Sequence, residues 1–175
     1  GRSVAVVGDQ RFRGSRVDVG NPHLVCVLPG GLEQLSSLDL ATSPCVNDTD
    51  FPAGVNVEFV SRARPIRNWD AHVRMRVHER GAGETLSCGS GACAVAAVTL
   101  SDATLAAGRV AVDVPGGRLS VTLDGRRPID TGSTKVGSLI GDHTKTSIGT
   151  LLNTGAYVGA MGIIAATGKA LLKFI

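Results

Sequence analysis

The sequence predicts an α+β unit in which a β-sheet wraps around one central buried helix, followed by a short left-handed parallel β-helix tail. Three observations carry that expectation. The stretches "RFRGSRVDVG", "VNVEFVSRAR" and "AHVRMRVHER" alternate apolar and polar residues with a period of two, the pattern of half-buried strands. "GACAVAAVTL" has no polar face, which fits a helix enclosed by a sheet on all sides. From Ile140 the chain divides into sixes, IGDHTK, TSIGTL, LNTGAY, VGAMGI, IAATGK and ALLKFI, with Ile140, Thr146, Leu152, Val158, Ile164 and Ala170 in one phase. A small or turn-forming residue follows in five of the six, the mark of a hexapeptide β-helix. The plainer alternative for the tail is a Gly/Ala-rich end with accidental spacing. Six units make only two coils, where about three repeats are usually needed.

The remaining elements follow in order. "SVAVVG" is strand-like from the start of the chain and, with no initiator Met, suggests a chain that begins inside a larger protein or was trimmed. "HLVCVL" is apolar throughout and reads as a fully buried strand. "LEQLSSLDLA" sets Leu32, Leu35 and Leu38 at the spacing of a short surface helix. In "VAVDVPGGRLSVTLDG" the turn signal Pro115-Gly116-Gly117 separates two alternating runs, a hairpin. The texture changes after Gly125, so the domains are drawn at 1–130 and 134–175.

Composition narrows the class of function. The 175 residues, 43% apolar, are enough for one domain or two small ones with a packed core. The net charge of +3 is spread along the chain, and with one Trp and one Tyr there is little surface for stacking bases, so no nucleic-acid partner is expected. The longest apolar run, Ala92 to Leu100, is too short to span a bilayer, and Gly1-Arg2 is unlike a signal peptide; the expectation is a cytoplasmic protein with no membrane partner. Cys26, Cys45, Cys88 and Cys93 form no CxxC pair and have no clustered His, so neither a metal nor a disulfide framework is expected.

Chemistry concentrates in "HERGAGETLSCGSGACAVAAV", residues 78 to 98. Cys88 precedes a helix and is followed by Gly89-Ser90-Gly91, where unpaired backbone N–H groups and the helix dipole favour negative charge. Such a position can lower a thiol pKa from about 8.5 into the range of about 3.5 to 7.5, making Cys88 a candidate base or nucleophile. The same N–H groups can cradle a carboxylate or phosphate, since Gly89 and Gly91 let an anion approach closely. Glu79, Arg80 and Glu84 stand upstream, and Arg is a natural bidentate partner for a carboxylate. Cys26, Cys45 and Cys93 read as small core-filling residues. His23 on its own reads equally as a buried, hydrogen-bonded strand residue, Asn56 as a turn residue and Glu79 as a solvated strand charge.

"HERGAGETLSCGSGACA" resembles a signature of the diaminopimelate epimerase family, and "VDVGNPHLV" (residues 17 to 25) and "GVNVEFV" (54 to 60) resemble two further segments of it in order and spacing. The closing hairpin is also similar, so that residues 5 to 125 are covered. The resemblance implies a cofactor-independent isomerase of lysine and cell-wall precursor synthesis. In that family two cysteines face opposite sides of the substrate α-carbon. One removes the α-proton as thiolate and the other delivers a proton as thiol, inverting the centre between LL- and meso-diaminopimelate. Cys88 matches one of the pair. By the same resemblance Gly89 and Ser90 hold the α-carboxylate, Asn21, Asn56, Glu79 and Arg80 bind polar groups of the substrate, and His23 and Glu79 flank the reacting centre.

The chain also departs from the family. The partner cysteine belongs in a CGNGxR-like segment, and nothing here matches it; neither Cys26 nor Cys45 has the glycine-rich helix start it needs. The expectation is a half-site, inactive alone, that awaits a missing N-terminal half or another copy of the chain. "IDTG", residues 129 to 132, fits the family's ending, but "KVGSLIGDHTKTSIGTLLNTGAYVG" resembles the β-helix of bacterial sugar-phosphate nucleotidyltransferases, where such a helix supports oligomerisation or an acyltransferase site. His143 is the one tail residue with acyl-transfer chemistry to offer, and an exposed corner is its simpler reading. The competing function is a non-catalytic binding or assembly module built on the tail, or a chimeric or mispredicted chain. A proline racemase-like enzyme shares the two-thiol logic but does not account for GNPH and NVEF together.

Overall fold

The computed structural model describes residues 1–123 and, beyond them, the backbone of four two-residue strands. By its contacts the chain divides into two units, Gly1–Pro128 and Ile129–Ile175, and each is described by itself.

The first unit is one nine-stranded sheet with a helix on each face. Its strands are β1 (Arg2–Val7), β2 (Gln10–Asp18), β3 (Pro22–Val27), β4 (Cys45–Val46), β5 (Asn56–Arg62), β6 (Ala71–Glu79), β7 (Gly83–Thr85), β8 (Gly108–Val114) and β9 (Gly117–Leu123). They lie in the order β4-β1-β2-β3-β5-β6-β8-β9, with β7 paired to β6. Neighbours run antiparallel except at β3·β5 and β6·β8, which are parallel and therefore need crossovers. Helix α1 (Gly31–Ser37) lies on the first crossover and α2 (Gly89–Asp102) on the second. The hairpin of β8 and β9 turns at Pro115-Gly116, as the sequence predicts, with Gly117 at φ +136° where a side chain would be strained.

Two cores result. On one face α2 packs on Val25, Val60, Val73, Met75, Val77, Val110, Val112 and Val121. Gly91, Ala92, Ala94, Val95, Ala96, Val98 and Leu100 of α2 are all buried, so the helix is enclosed much as its lack of a polar face requires. On the other face Leu35 of α1, with Leu38, Leu40 and Phe51, covers Leu24, Cys26, Val57 and Phe59, the last set edge-on to Phe12 at 5.3 Å between ring centres. The helix is shorter than the leucine spacing suggests: it stops at Ser37, Leu38 sits buried just past its end, and Leu32 is exposed.

Covering both faces changes the character of β5. The alternation in "VNVEFVSRAR" predicts a half-buried strand, yet six of its seven residues, Asn56 to Ser61, are buried. Asn56 and Glu58 therefore lie inside the protein. Cys26 fills the core as expected, whereas Cys45 on the edge strand and Cys93 on α2 are exposed, contrary to their expected burial. Cys93 stands on a side of α2 that the sheet does not cover.

In the second unit β10 (Leu139–Ile140) pairs in parallel with β12 (Tyr157–Val158), and β11 (Lys145–Thr146) with β13 (Ile163–Ile164). In both ladders the partners stand 18 residues apart. His143, the segment 129–132 and the repeat positions Leu152 and Ala170 lie outside the described residues. Among the described residues, no helix is long and apolar enough to cross a membrane, and no group of three or more His, Cys, Asp or Glu side chains could hold a metal ion.

Candidate active site

The residues singled out from the sequence meet at one end of the sheet. Cys88 is the N-cap of α2, with extended backbone (φ −135°, ψ 114°) that points its side chain back over the first turn. Its Sγ accepts from the N–H of Gly91 at 3.3 Å and lies 3.5 Å from Ser90 Oγ. Among the described residues nothing accepts from the N–H groups of Gly89 and Ser90, so two donors of the helix end face outward beside the thiol.

The polar residues of β3, β5 and β6 converge on the same end. His23 and Asn56 are direct neighbours across the parallel β3·β5 pair. His23 is fully buried; its Nδ1 lies 2.6 Å from Glu58 Oε1 and its Nε2 3.1 Å from Asn21 Oδ1. Asn56 Oδ1 accepts from the backbone N–H of Arg80 at 2.9 Å, pinning the chain where β6 ends. Glu79 Oε1 accepts from Thr85 Oγ1 at 2.5 Å, which fixes that carboxylate toward β7 and the approach to Cys88. Arg80 is exposed and spends Nη1 on Ala53 O at 2.7 Å. Gly91 joins the two groups: a Cβ placed there would stand 2.7 Å from Glu58 Oε1 and 3.2 Å from Cys88 Sγ.

Two residues escape the sequence reading. Glu58 stands inside a strand that looks half exposed, so its acid reads as solvated; an acidic residue between Val57 and Phe59 was the available signal. Thr85, the partner of Glu79, carries no signal at all. Glu84, which seemed a candidate by proximity, is instead held by Arg76 through Nε at 2.7 Å and Nη2 at 3.0 Å, while Arg76 Nη1 reaches Leu35 O and Leu38 O. That cluster ties α1 to the sheet and serves the fold.

The electrostatics correct one expectation. The helix end was expected to lower the Cys88 pKa, and the bonds from Ser90 and Gly91 do act in that direction. Burial acts in the other and is larger, so the Cys88 thiol is pushed up, with the nearby Glu79 charge adding to the rise. In this chain Cys88 rests as a thiol. Burial likewise raises Glu58 above the ordinary carboxylate range, against the lowering effect of His23.

A family model described as diaminopimelate epimerase matches residues 15–136. The chain is 46% identical over 124 residues to the diaminopimelate epimerase of Mycolicibacterium gilvum, covering 70% of this chain and 41% of that protein. It is 47% identical over 118 residues to that of Mycobacterium leprae, 67% of this chain and 38% of the relative. To that of Corynebacterium glutamicum it is 44% identical over 138 residues, 78% of this chain and 46% of the relative. The chain therefore spans less than half the length of these relatives. A family-model match over more than half of its residues means that the chain belongs to the diaminopimelate epimerase family.

Proposed function

We propose that this chain is the Cys88 half of a cofactor-independent amino-acid epimerase that interconverts LL- and meso-diaminopimelate in the cytoplasm, and that it is inactive until a second thiol is supplied. The observation that carries the reading is the placement of Cys88: a capping thiol beside two outward N–H donors, at the end of the sheet where Asn21, His23, Asn56 and Glu79 also lie. The free N–H groups of Gly89 and Ser90 suit the substrate's α-carboxylate. Asn21, Asn56, Glu79 and Arg80 would bind its remaining polar groups, with His23 and Glu79 flanking the α-carbon.

The step balances as follows. A thiolate on the far face takes the α-proton, forming S–H and leaving the electron pair on the α-carbon. Cys88, resting as a thiol, gives its proton to the opposite lobe and becomes the thiolate, so the centre inverts and the two sulfurs exchange roles. Cys88 is suited to be the donor in the resting chain because burial holds its proton. Two of the exposed large apolar side chains flank the site, Val19 two residues before Asn21 and Leu86 two before Cys88, at 40% and 70% exposure, and offer a contact to the part that carries the second thiol.

For the tail we propose a left-handed parallel β-helix in a second domain. Support comes from the 18-residue offset of both parallel ladders, three of the sixes seen in the sequence. Size-exclusion of the chain with and without residues 134–175 tests whether it drives assembly; equal monomeric mass in both removes that role.

The central test mixes this chain with a separately produced first half of a relative, the half bearing the partner cysteine, and follows interconversion of the two diaminopimelate isomers. Activity only in the mixture, abolished by Cys88→Ala, is expected. Activity of this chain alone, or mixture activity indifferent to Cys88→Ala, would overturn the proposal.

A further inference from the structure

Glu58 is the most deeply buried acid among the described residues, and the proton transfer described above does not use it. It is wholly inaccessible, as is the His23 ring 2.6 Å away, and its second oxygen, Oε2, has no hydrogen-bond partner. The groups facing it are His23 on β3, Glu79 at the end of β6 and Cys88 at the cap of α2. Apart from His23 none of these can be a cation. The N–H of Gly91, the closest helix donor, is given to Cys88 and not to Glu58.

We propose that Glu58 is a positioning residue that remains a neutral carboxylic acid in the working site, donating its proton to Nδ1 of His23 and thereby fixing the ring as the tautomer with its hydrogen on Nε2. The assignment rests on the reading of His23 as a site residue given above. It follows from which atoms can donate. Asn21 presents a carbonyl oxygen to Nε2, so Nε2 carries a hydrogen. Nδ1 then either carries a second hydrogen, making an ion pair with Glu58, or is bare and accepts from the acid. A buried ion pair must satisfy its remaining lone pairs to offset desolvation, and Oε2 has nothing to accept from. A neutral acid leaves only a carbonyl oxygen unpaired, the lesser cost.

The arrangement has a consequence for the thiol. An ionised Glu58 would add a second negative charge beside Glu79 and oppose the thiolate that Cys88 must become. Kept neutral, Glu58 holds His23 in place without that opposition.

The test reads the His23 ring nitrogens by NMR in the nitrogen-labelled intact chain near neutral pH, assigned by difference from His23→Gln. One protonated nitrogen, Nε2, and one bare nitrogen, Nδ1, are expected. Two protonated nitrogens would overturn the assignment. Glu58→Gln mimics the neutral acid and should keep both the tautomer and the rate of Cys88 alkylation against pH within about twofold. A rise of tenfold or more, equivalent to about one pKa unit, would mean that a charge had been removed and also overturns it. If the Gln variant does not fold, the spectrum of the unaltered chain decides alone. Failure of the epimerase reading would appear in the two-half assay instead, and leaves the ring spectrum as it is.

Discussion

Replacing Gly91 by Ala sets two effects of opposite sign against each other within the site. Gly91 lies in the first turn of α2, and on helix propensity alone Ala is favoured there by about 1 kcal/mol. The structure gives the other side. The added methyl would stand 2.7 Å from Glu58 Oε1, 3.2 Å from Cys88 Sγ and 3.3 Å from Cys88 Cβ. Glu58 cannot swing aside freely, because it is fully buried and held to His23 at 2.6 Å. Overpacking of this kind costs about 1–3 kcal/mol, and giving up the buried hydrogen bond costs about 1–3 kcal/mol more. The net expectation is a loss of about 1–5 kcal/mol, or roughly 4 °C in Tm for each kcal/mol. Gly89→Ala serves as the control, since no atom lies within 4 Å of a Cβ there and no positive φ strains it. Urea unfolding of the three chains checks the comparison: Gly89→Ala neutral or slightly stabilised, Gly91→Ala destabilised. A Gly91→Ala chain more stable than its parent would refute the claim that Glu58 and Cys88 are packed against this glycine.

Two further outcomes follow from titrations. Burial pushes the Cys26 thiol from 9.0 up to about 12. A raised acid pKa leaves stability intact below the unfolded value and drains it as pH climbs toward the folded one, so at pH 11 the loss is about 3 kcal/mol by linkage; Cys26→Val, measured by urea unfolding at pH 8 and 11, should show a smaller loss than the parent, and an equal loss would refute it. Asp113 is held down at about 2 by the Arg118 guanidinium, bonded through Nε at 2.5 Å, and by His72 at 2.8 Å. A lowered carboxylate contributes above its ordinary pKa and loses that contribution as pH falls through it, so Asp113→Asn should flatten the acid limb between about pH 4 and 2 by about 1 kcal/mol after solvent screening. An unchanged acid limb would count against the pairing.

Much of this architecture was legible because its cause is local. The absence of a polar face in α2 can mean little but enclosure, and Pro115-Gly116-Gly117 forces a turn whatever surrounds it. The site was legible in its members for the same reason: Cys88 before three small residues marks a helix start. What the sequence hides are effects of distant packing. Nothing in "VNVEFV" announces that α1 and α2 will cover both faces of β5, so Asn56 and Glu58 look solvated when they are buried. The protonation of Cys88 was misjudged on the same account, since the helix end that favours a thiolate is written locally and the burial that outweighs it is not. Cys93 shows the converse, an apolar context that ends at an open surface.

Helix α2 joins the Cys88 sulfur to the centre of the fold. Reactive residues are commonly carried on segments that open easily. Here the amide that caps Cys88 belongs to a helix whose first turn buries Gly91 and Ala92, so it cannot fray without exposing the core. The amide hydrogen of Gly91 should therefore be among the slowest in the chain to exchange with solvent, and the sulfur beside it keeps its aim for as long as the domain stays folded.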